Sequence, residues 1–408
     1  MPEDPFADGD PDHGDDTSNP FAGMPLFGDL ARMLNQQMGS QGAGGGADTT
    51  RQFAVNVATG GRTEPNVDPV QRMRVEELAR VAELHVGQVT GLTVPTSGST
   101  VVEAVTRTQW VERTLVDHRT LLARLSESLA QDPGDDDDID PGDPLAMLAP
   151  LMKMMGPMMV GMATGSMVGH LAQRSFGQYD LPIPRPADQS VLLVLSNIDG
   201  FATDWSLPTD DVRLWVCIHE LTHHAVLGVP HVRQRLDALL SDYVGSFDPQ
   251  GASLGDRFDD LDPARMGDPD ALAGLLGNPD VLLGAMRSPA QEALLPELEA
   301  LIAVVVGYVD HIMDAIGSTL LGGYGQLTEA LRRRRVEAGD ADRFVERLLG
   351  LELTQAQYDR GRRFVDGVVE RADRSALARL WDDERNLPTP AETDAPGLWL
   401  ARIDLPAT

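Results

Sequence analysis

A five-residue stretch, HELTH at residues 219–223, places two imidazoles and a carboxylate inside an apolar segment that is predicted to be helical. Side chains four residues apart lie on the same face of a helix, one turn from each other. His219 and His223 can therefore bind a single zinc ion from one helix. Glu220 lies at the neighbouring edge of that face, where it is predicted to act as general base toward a zinc-bound water. The motif thus indicates zinc-dependent hydrolysis at a carbonyl group.

The apolar residues that precede the motif, VRLWVCI at 212–218, indicate a buried helix. Two histidines and a glutamate in such a helix are costly to desolvate unless they have partners. A shared metal ion would be the partner of both imidazoles. An alternative stays open, in which His219 and His223 are core histidines that form hydrogen bonds with neighbouring carboxylates.

A catalytic zinc also needs a third protein ligand and one open coordination position. His224 lies about 100° around the helix from His223, too far to share the same ion. A metzincin would have glycine three residues after the second histidine and histidine six residues after it. Those positions hold Val226 and Val229, so the metzincin pattern is excluded. The third ligand is therefore expected on a later helix.

A later apolar segment, EALIAVVVGYVDHIMDAIG at 299–317, carries one polar or small-residue stripe at spacings of three and four. Asp310 is predicted to be the third zinc ligand, with His311 as the alternative. Asp314, one turn beyond Asp310, is predicted to accept the second N–H of a ligating histidine. The competing interpretation is that these residues form buried ion pairs with nearby arginines. By chemistry alone, the candidates for stabilising an oxyanion are Tyr308, Tyr324, His224 and Tyr243.

Composition restricts the partners of the chain. Of its 408 residues, 63 are acidic and 33 are basic, which gives a net charge of −30. Such a surface repels nucleic acid and anionic membranes, so we expect neither as a partner. The single cysteine, Cys217, excludes an intrachain disulfide and permits a reducing compartment. Because the acidic N-terminus also lacks the pattern of a signal peptide, we expect a cytoplasmic protein.

One segment, residues 144–172, is rich in methionine and imitates a membrane span. Lys153 and two prolines interrupt it, and many of its positions are weakly hydrophobic, so we expect a buried core helix. The small residues Gly161, Gly165 and Gly169 recur every four positions, which allows close helix packing. Peripheral membrane attachment through this helix is a weaker hypothesis.

The order of patterns along the chain predicts a mainly α fold with a minor β element. Residues 1–66 are acidic and glycine-rich and are expected to be a disordered tail. Residues 67–405 are expected to form the folded domain, whose first helix has Asp68 as its N-cap. The run VLLVLS at 191–196 is the only clear strand, and residues 97–130 read as helical with a break near Thr106.

Several motifs together resemble a known family. They are RTQWVERTL at 107–115, FGQYDLPIP at 176–184, VLLVLSNI at 191–198, RLWVCIHELTHHAVLGVPHVR at 213–233, LIAVVVGYVDHIMDAIG at 301–317, GLELTQAQYDRGRRFV at 350–365, and LWLARIDLP near the end. The chain is similar to the zincin-like metallopeptidase family common in actinobacteria, some of whose members are labelled as associated with biosynthesis of a deazaflavin coenzyme. The resemblance covers roughly residues 67–405.

The resemblance implies a helical zincin-type domain that binds zinc. By position, His219 and His223 match the family's ligands, Glu220 matches its general base, and Asp314 matches an acidic position of the later helix. The chain departs from the family at residues 306–307, where Val-Gly replaces the Glu-Gly that family members often carry. If that glutamate is their third ligand, Asp310, one turn further along the helix, is its expected substitute.

The leading hypothesis is a zinc-dependent metallohydrolase, and more narrowly a metallopeptidase acting on a peptide or protein substrate. The rival hypothesis, from a different class of protein, is a non-catalytic helical scaffold that retains a structural or vestigial zinc site. The departure at residue 306 and the long acidic tail motivate this rival.

Overall fold

The computed structural model describes residues 46–92, 102–129, 149–186, 190–247, 287–337, 339–351 and 353–405, and these residues are mainly helical. Its helices are α1 (Gly46–Thr59), α2 (Pro69–Thr90), α3 (Arg107–Asp117), α4 (Arg119–Leu129), α5 (Ala149–Arg174), α6 (Leu195–Asp204), α7 (Thr209–Gly228), α8 (Pro230–Val244), α9 (Pro289–Leu320), α10 (Tyr324–Val336), α11 (Asp340–Leu348), α12 (Gln355–Ala372), α13 (Pro390–Asp394) and α14 (Pro396–Ile403). Two 3-10 helices, Arg374–Trp381 and Glu384–Asn386, precede α13. The expectation of a mainly α fold with a minor β element is confirmed.

The β element contains two parallel strands, β1 (Val102–Val105) and β2 (Val191–Val194), paired in register from Val102–Val191 to Val105–Val194. The expectation of a strand at 191–196 is confirmed for its first four residues, but the helical interpretation of residues 102–105 is wrong. Valines favour strands because their branched side chains pack well on a pleated surface. The break expected near Thr106 is confirmed, since Thr106 caps α3 in a reciprocal capping box with Gln109.

The folded region begins earlier than residue 67. Helix α1 occupies part of the segment that was expected to be a disordered tail, and its Phe53, Ala54, Val57 and Ala58 are buried. Spacings of one, three and four residues place these side chains on one face of the helix. The expectation was wrong here because the flanking Gly, Asp and Asn residues hid a short amphipathic pattern. The rest of the expected tail, residues 1–45, lies outside the described residues.

The methionine-rich helix α5 packs along α1. Its glycines allow this close approach, because a Cβ on Gly165 would lie 2.7 Å from the Thr50 carbonyl oxygen and one on Gly169 would lie 2.6 Å from the Val57 Cβ. Met162 and Met167 are buried. From residue 161 onward the helix thus packs in the core, as expected; residues 144–148 lie outside the described residues.

Helix α7, which carries the HELTH motif, packs against α2, α6, α8 and α9. The sequence offers Asp210 or Thr209 as its cap, but Pro208 is the N-cap residue, and Asp210 instead forms an ion pair with Arg74 at 2.8 Å. Gly228 and Pro230 in the sequence predict its end correctly, because Gly228 is its last residue and Pro230 starts α8. Asp68 also caps α2 as predicted, since its side chain accepts from the Val70 amide.

Helix α9 is the candidate membrane span by length and composition within the described part of the chain. Because 78% of its most apolar window is buried inside the protein, it resembles the core helix of a globular protein. At its crossing with α12, Gly307 lies against the backbone of Gly361, and a Cβ on Gly307 would be 2.3 Å from the Gly361 carbonyl carbon. This contact sets the position of α9 and of Asp310, one turn further along.

Gly307→Ala is expected to destabilise the protein, because the new methyl group must push two helix backbones apart. Overpacking of this kind costs about 1–3 kcal/mol in the free energy of unfolding, measurable by urea denaturation. Gly200→Ala, in α6, is the matched control, because nothing lies within 4 Å of its added Cβ. This control should be neutral or stabilising by up to about 1 kcal/mol. Equal unfolding free energies for the two variants would contradict the close-crossing account.

Candidate metal centre

The two motif histidines lie side by side on α7, with their ring centroids 4.4 Å apart. Both line a cavity of about 100 Å³. The side chain of His219 is 14% exposed, and that of His223 is buried. The structure thus brings together the two imidazoles that the sequence predicted as ligands.

Hydrogen bonds occupy the Nδ1 atom of each imidazole. His223 Nδ1 lies 3.1 Å from the carbonyl oxygen of His219, and His219 Nδ1 lies 3.0 Å from Glu220 Oε1. Because a carbonyl oxygen only accepts, and a carboxylate accepts when ionised, these contacts favour an N–H at Nδ1 and a free lone pair at Nε2. Burial lowers the pKa of His223 well below its usual value, which keeps the ring neutral. Both residues therefore fit a metal bound through Nε2.

Two aromatic side chains restrict the orientation of the imidazoles. Trp215 stacks on His219 with centroids 5.0 Å apart, and Tyr179 stacks on His223 at 6.0 Å. The Tyr179 hydroxyl also lies 2.9 Å from Nδ1 of His224. Tyr179 belongs to the motif FGQYDLPIP, which carries part of the family resemblance, but the sequence predicts no role for this tyrosine. Nothing in its local pattern shows that residues 176–180 lie against α7.

Glu220 is fully buried and is not among the residues that line the cavity. Its Oε2 accepts the amide N–H groups of Gln178 at 2.8 Å and Tyr179 at 2.9 Å, while its Oε1 faces His219 Nδ1. Burial raises the pKa of Glu220, and the hydrogen bond from His219 opposes that rise. In this arrangement the carboxylate contacts a proposed ligand and the backbone, rather than the space where a substrate would bind.

Asp310, the predicted third ligand, lines the same cavity as the two histidines. Its Oδ1 is 3.4 Å from Arg335 Nη2, so it also takes part in the ion pair that the competing interpretation foresaw. Among the residues that the structure describes, no group of three or more His, Cys, Asp or Glu side chains is arranged to bind a metal. Asp310 therefore shares a cavity with the histidine pair without completing a three-ligand site.

The other residues of the later helix lie elsewhere. His311 is not among the residues lining the cavity; burial lowers its pKa, and its nearest charged groups include Arg374 and Asp366. Asp314 accepts a hydrogen bond from the Tyr324 hydroxyl at 2.7 Å and lies 3.6 Å from Arg362. The oxygens that lie at the Nδ1 atoms of the two motif histidines belong to Glu220 and to the His219 backbone, rather than to Asp314.

The four predicted oxyanion candidates do not line the cavity, whereas Tyr179 and Tyr358 do. Two arginines of α10 also contribute to its wall. The Arg334 guanidinium lies 3.7 Å from the centroid of the Phe176 ring, and that of Arg335 lies 4.2 Å from the centroid of Tyr358. The run of four arginines at 332–335 was an available signal that guanidinium groups contribute to this wall.

Two imidazoles on one helix, at a cavity of a mainly helical fold, form an arrangement that is chemically suited to bind a metal ion. The model of the zincin-like metallopeptidase family matches residues 47–400. The chain therefore belongs to that family. The match begins at α1, earlier than the domain start expected at residue 67.

A solved structure from Chloroflexus aurantiacus, described provisionally as a hydrolase with a novel fold, is similar to this one with a TM-score of 0.62. The two chains are 24% identical, and the likeness covers 88% of this chain and 99% of the other. At this identity the likeness shows the shared fold. No curated protein matches the chain.

Acidification is expected to destabilise the metal-free protein partly through His224. Burial lowers the pKa of His224 to about 4, whereas the unfolded chain titrates near 6.5. The unfolded state therefore binds more protons between these values, so this part of the stability is present above pH 6.5 and is lost as the pH falls toward 4. Its size is on the order of 2–3 kcal/mol, measured by urea denaturation in the presence of a chelator.

His224→Gln retains an acceptor for the Tyr179 hydroxyl but cannot take up a proton. Its free energy of unfolding should fall less steeply than that of the wild type between pH 6.5 and pH 4. Identical slopes for the two proteins would rule out this contribution of His224.

Proposed function

We propose that the chain is a zinc-dependent hydrolase of peptide bonds, with His219 and His223 as zinc ligands through their Nε2 atoms. The observation that carries this proposal is the paired imidazoles at the cavity wall, each with its Nδ1 atom engaged by an acceptor oxygen. Membership of the zincin-like metallopeptidase family supports zinc as the metal and hydrolysis as the reaction.

Asp310 is the proposed third ligand. It lines the same cavity, and its contact with Arg335 involves one carboxylate oxygen. Carboxylates that bind a metal through one oxygen are commonly hydrogen-bonded through the other, so Arg335 can stay in place. Asp310 then stands in for the glutamate expected at residue 306, where this chain has valine.

Bound zinc would supply a water molecule with its pKa lowered toward about 7. The chain's own contribution is to hold and shield the substrate beside that position. Arg334 and Arg335 line the cavity and are suited to bind carbonyl or carboxylate oxygens of a peptide. Asp180 and Glu346 are further carboxylates in the same wall. For Glu220 to act as general base, as the motif predicts, its carboxylate must leave two amide groups and His219.

A second candidate function is a non-catalytic scaffold with a structural or vestigial zinc site. The burial of Glu220 away from the cavity favours it, as does the lack of a third ligand in contact with the histidines among the described residues. The two candidate functions differ in one requirement: a hydrolase needs a cavity that a substrate can enter, whereas a scaffold does not.

We also propose a cytoplasmic location and peptide or protein partners, without nucleic acid. The support is physical: a net charge of −30 opposes binding to a polyanion, and a single buried thiol, Cys217, forms no intrachain disulfide.

Metal analysis tests zinc binding directly. The purified protein is expected to contain about one zinc per chain, and His219→Ala and His223→Ala should each lower the zinc affinity by a factor of 100 or more, since each removes one ligand. Asp310→Asn should weaken binding by a smaller factor of roughly 10 to 100. His85→Ala, on α2, is the control and should bind zinc normally. If the purified wild-type protein contained no zinc, the proposal of a zinc enzyme would be wrong.

Hydrolysis separates the two candidate functions. A zinc-loaded hydrolase should cleave members of a mixed peptide library, with loss of cleavage after chelation and in Asp310→Asn. Zinc-loaded protein that cleaves no peptide, while its folding stability depends on zinc, would favour the scaffold. Mass spectrometry of the library and thermal unfolding with and without chelator provide the two measurements.

A further inference from the structure

We infer that Glu220 is a positioning residue that holds His219 in its metal-binding tautomer, and that the segment 176–180 locks Glu220 in this role. The inference rests on the proposed zinc function, and it differs from the general-base role that the motif predicts. It stands on the contacts of one fully buried carboxylate.

Each oxygen of that carboxylate has a separate task. Oε2 accepts two backbone N–H groups, from Gln178 at 2.8 Å and Tyr179 at 2.9 Å. Oε1 lies 3.0 Å from Nδ1 of His219. A carboxylate that accepts from Nδ1–H forces the lone pair of the ring onto Nε2, which is the nitrogen available to a metal.

The segment 176–180 cannot readily move away from Glu220, because hydrogen bonds hold it to Trp110 and to strand β2. The Gly177 carbonyl accepts from the Trp110 indole N–H at 2.8 Å, and the Phe176 carbonyl accepts from the Val194 amide of β2 at 2.7 Å. The Gln178 side-chain oxygen accepts from the Leu192 amide, also in β2, at 3.1 Å. The two-stranded sheet thus anchors the backbone that holds the carboxylate.

Gly177 shows how tightly the carboxylate is enclosed. A Cβ at this residue would lie 2.3 Å from both Cδ and Oε2 of Glu220. Only glycine leaves room for the carboxylate at this point. A turn of Glu220 toward the cavity would also leave the Gln178 and Tyr179 amides buried without their present partner, which is unfavourable.

The chemistry of a glutamine at residue 220 gives a sharp test. If its amide oxygen keeps the two backbone N–H groups, its NH₂ group faces His219 Nδ1, which must then accept. The proton of the neutral ring moves to Nε2, and the metal-binding lone pair is lost. If Glu220 were instead the general base, Glu220→Gln would abolish hydrolysis and leave zinc affinity unchanged.

The experiment combines zinc affinity, measured by competition with a chromogenic chelator, with the tautomer of His219. The tautomer is read in zinc-free protein from two-bond ¹⁵N–¹H correlations, after selective ¹⁵N-histidine labelling and assignment with His219→Asn. The wild type should show the Nδ1–H form of His219. Glu220→Gln should show the Nε2–H form and bind zinc roughly 10 to 100 times more weakly.

Two further variants complete the design. Gly177→Ala keeps the carboxylate but displaces it, so zinc affinity should fall as in Glu220→Gln. Thr222→Val, on the same helix, is the matched control, because within the described part of the chain the Thr222 hydroxyl donates to the Ile218 carbonyl of its own helix. It should keep the wild-type affinity within about twofold, as expected for a side chain outside the metal's supporting contacts. Far-UV circular dichroism reports whether each variant is folded.

The outcomes separate the two proposals. Wild-type zinc affinity in folded Glu220→Gln, with His219 unchanged, would overturn the positioning role and leave the zinc function standing. Wild-type protein that binds no zinc would overturn the proposed function, while the tautomer measurement still tests Glu220. If both variants unfold, an Nε2–H form of His219 in the wild type overturns the inference, and an Nδ1–H form supports it.

Discussion

The structure around α7 depends on one constraint, which is that a carboxylate buried in the protein core must find hydrogen-bond partners. Glu220 has no exposed surface and satisfies its two oxygens with two backbone amides and one imidazole. Those amides can donate to Glu220 because residues 176–180 have an irregular conformation. The sheet of β1 and β2 then anchors this segment. A small β element in a helical protein thereby supports the candidate metal centre.

A second part of the cavity wall has a different physical origin. Helices α9 and α12 meet where Gly307 faces Gly361, so their backbones approach more closely than side chains would allow. This close approach fixes the position of Asp310 in the cavity wall. Helix α10 adds arginines beside it. The guanidinium groups of Arg334 and Arg335 lie here beside the carboxylates of Asp180 and Asp310, so the wall carries charges of both signs. Such a wall suits oxygen-bearing substrates and also holds Asp310 in an ion pair.

Much of the fold was predictable from local patterns, because the signals were local. The N-cap at Asp68, the break at Thr106 and the end of α7 at Gly228 depend on residues within one turn of each other. The errors have a common cause. Helix α1 and strand β1 are short, and their burial comes from distant partners, α5 for the helix and β2 for the strand. Neither partner is visible in a window of neighbouring residues.

In the candidate site, too, the features that depend on neighbouring residues were predictable and those that depend on distant contacts were not. The sequence by itself determined that His219 and His223 share a face of one helix, because a spacing of four is a property of the helix alone. It also located Asp310 in a helix suited to face them. Only the tertiary structure decided that Glu220 turns to residues 176–180, that Asp314 bonds with Tyr324, and that Asp310 meets Arg335. The direction of a carboxylate depends on which donors lie within reach, and here most of those donors belong to segments far away along the chain.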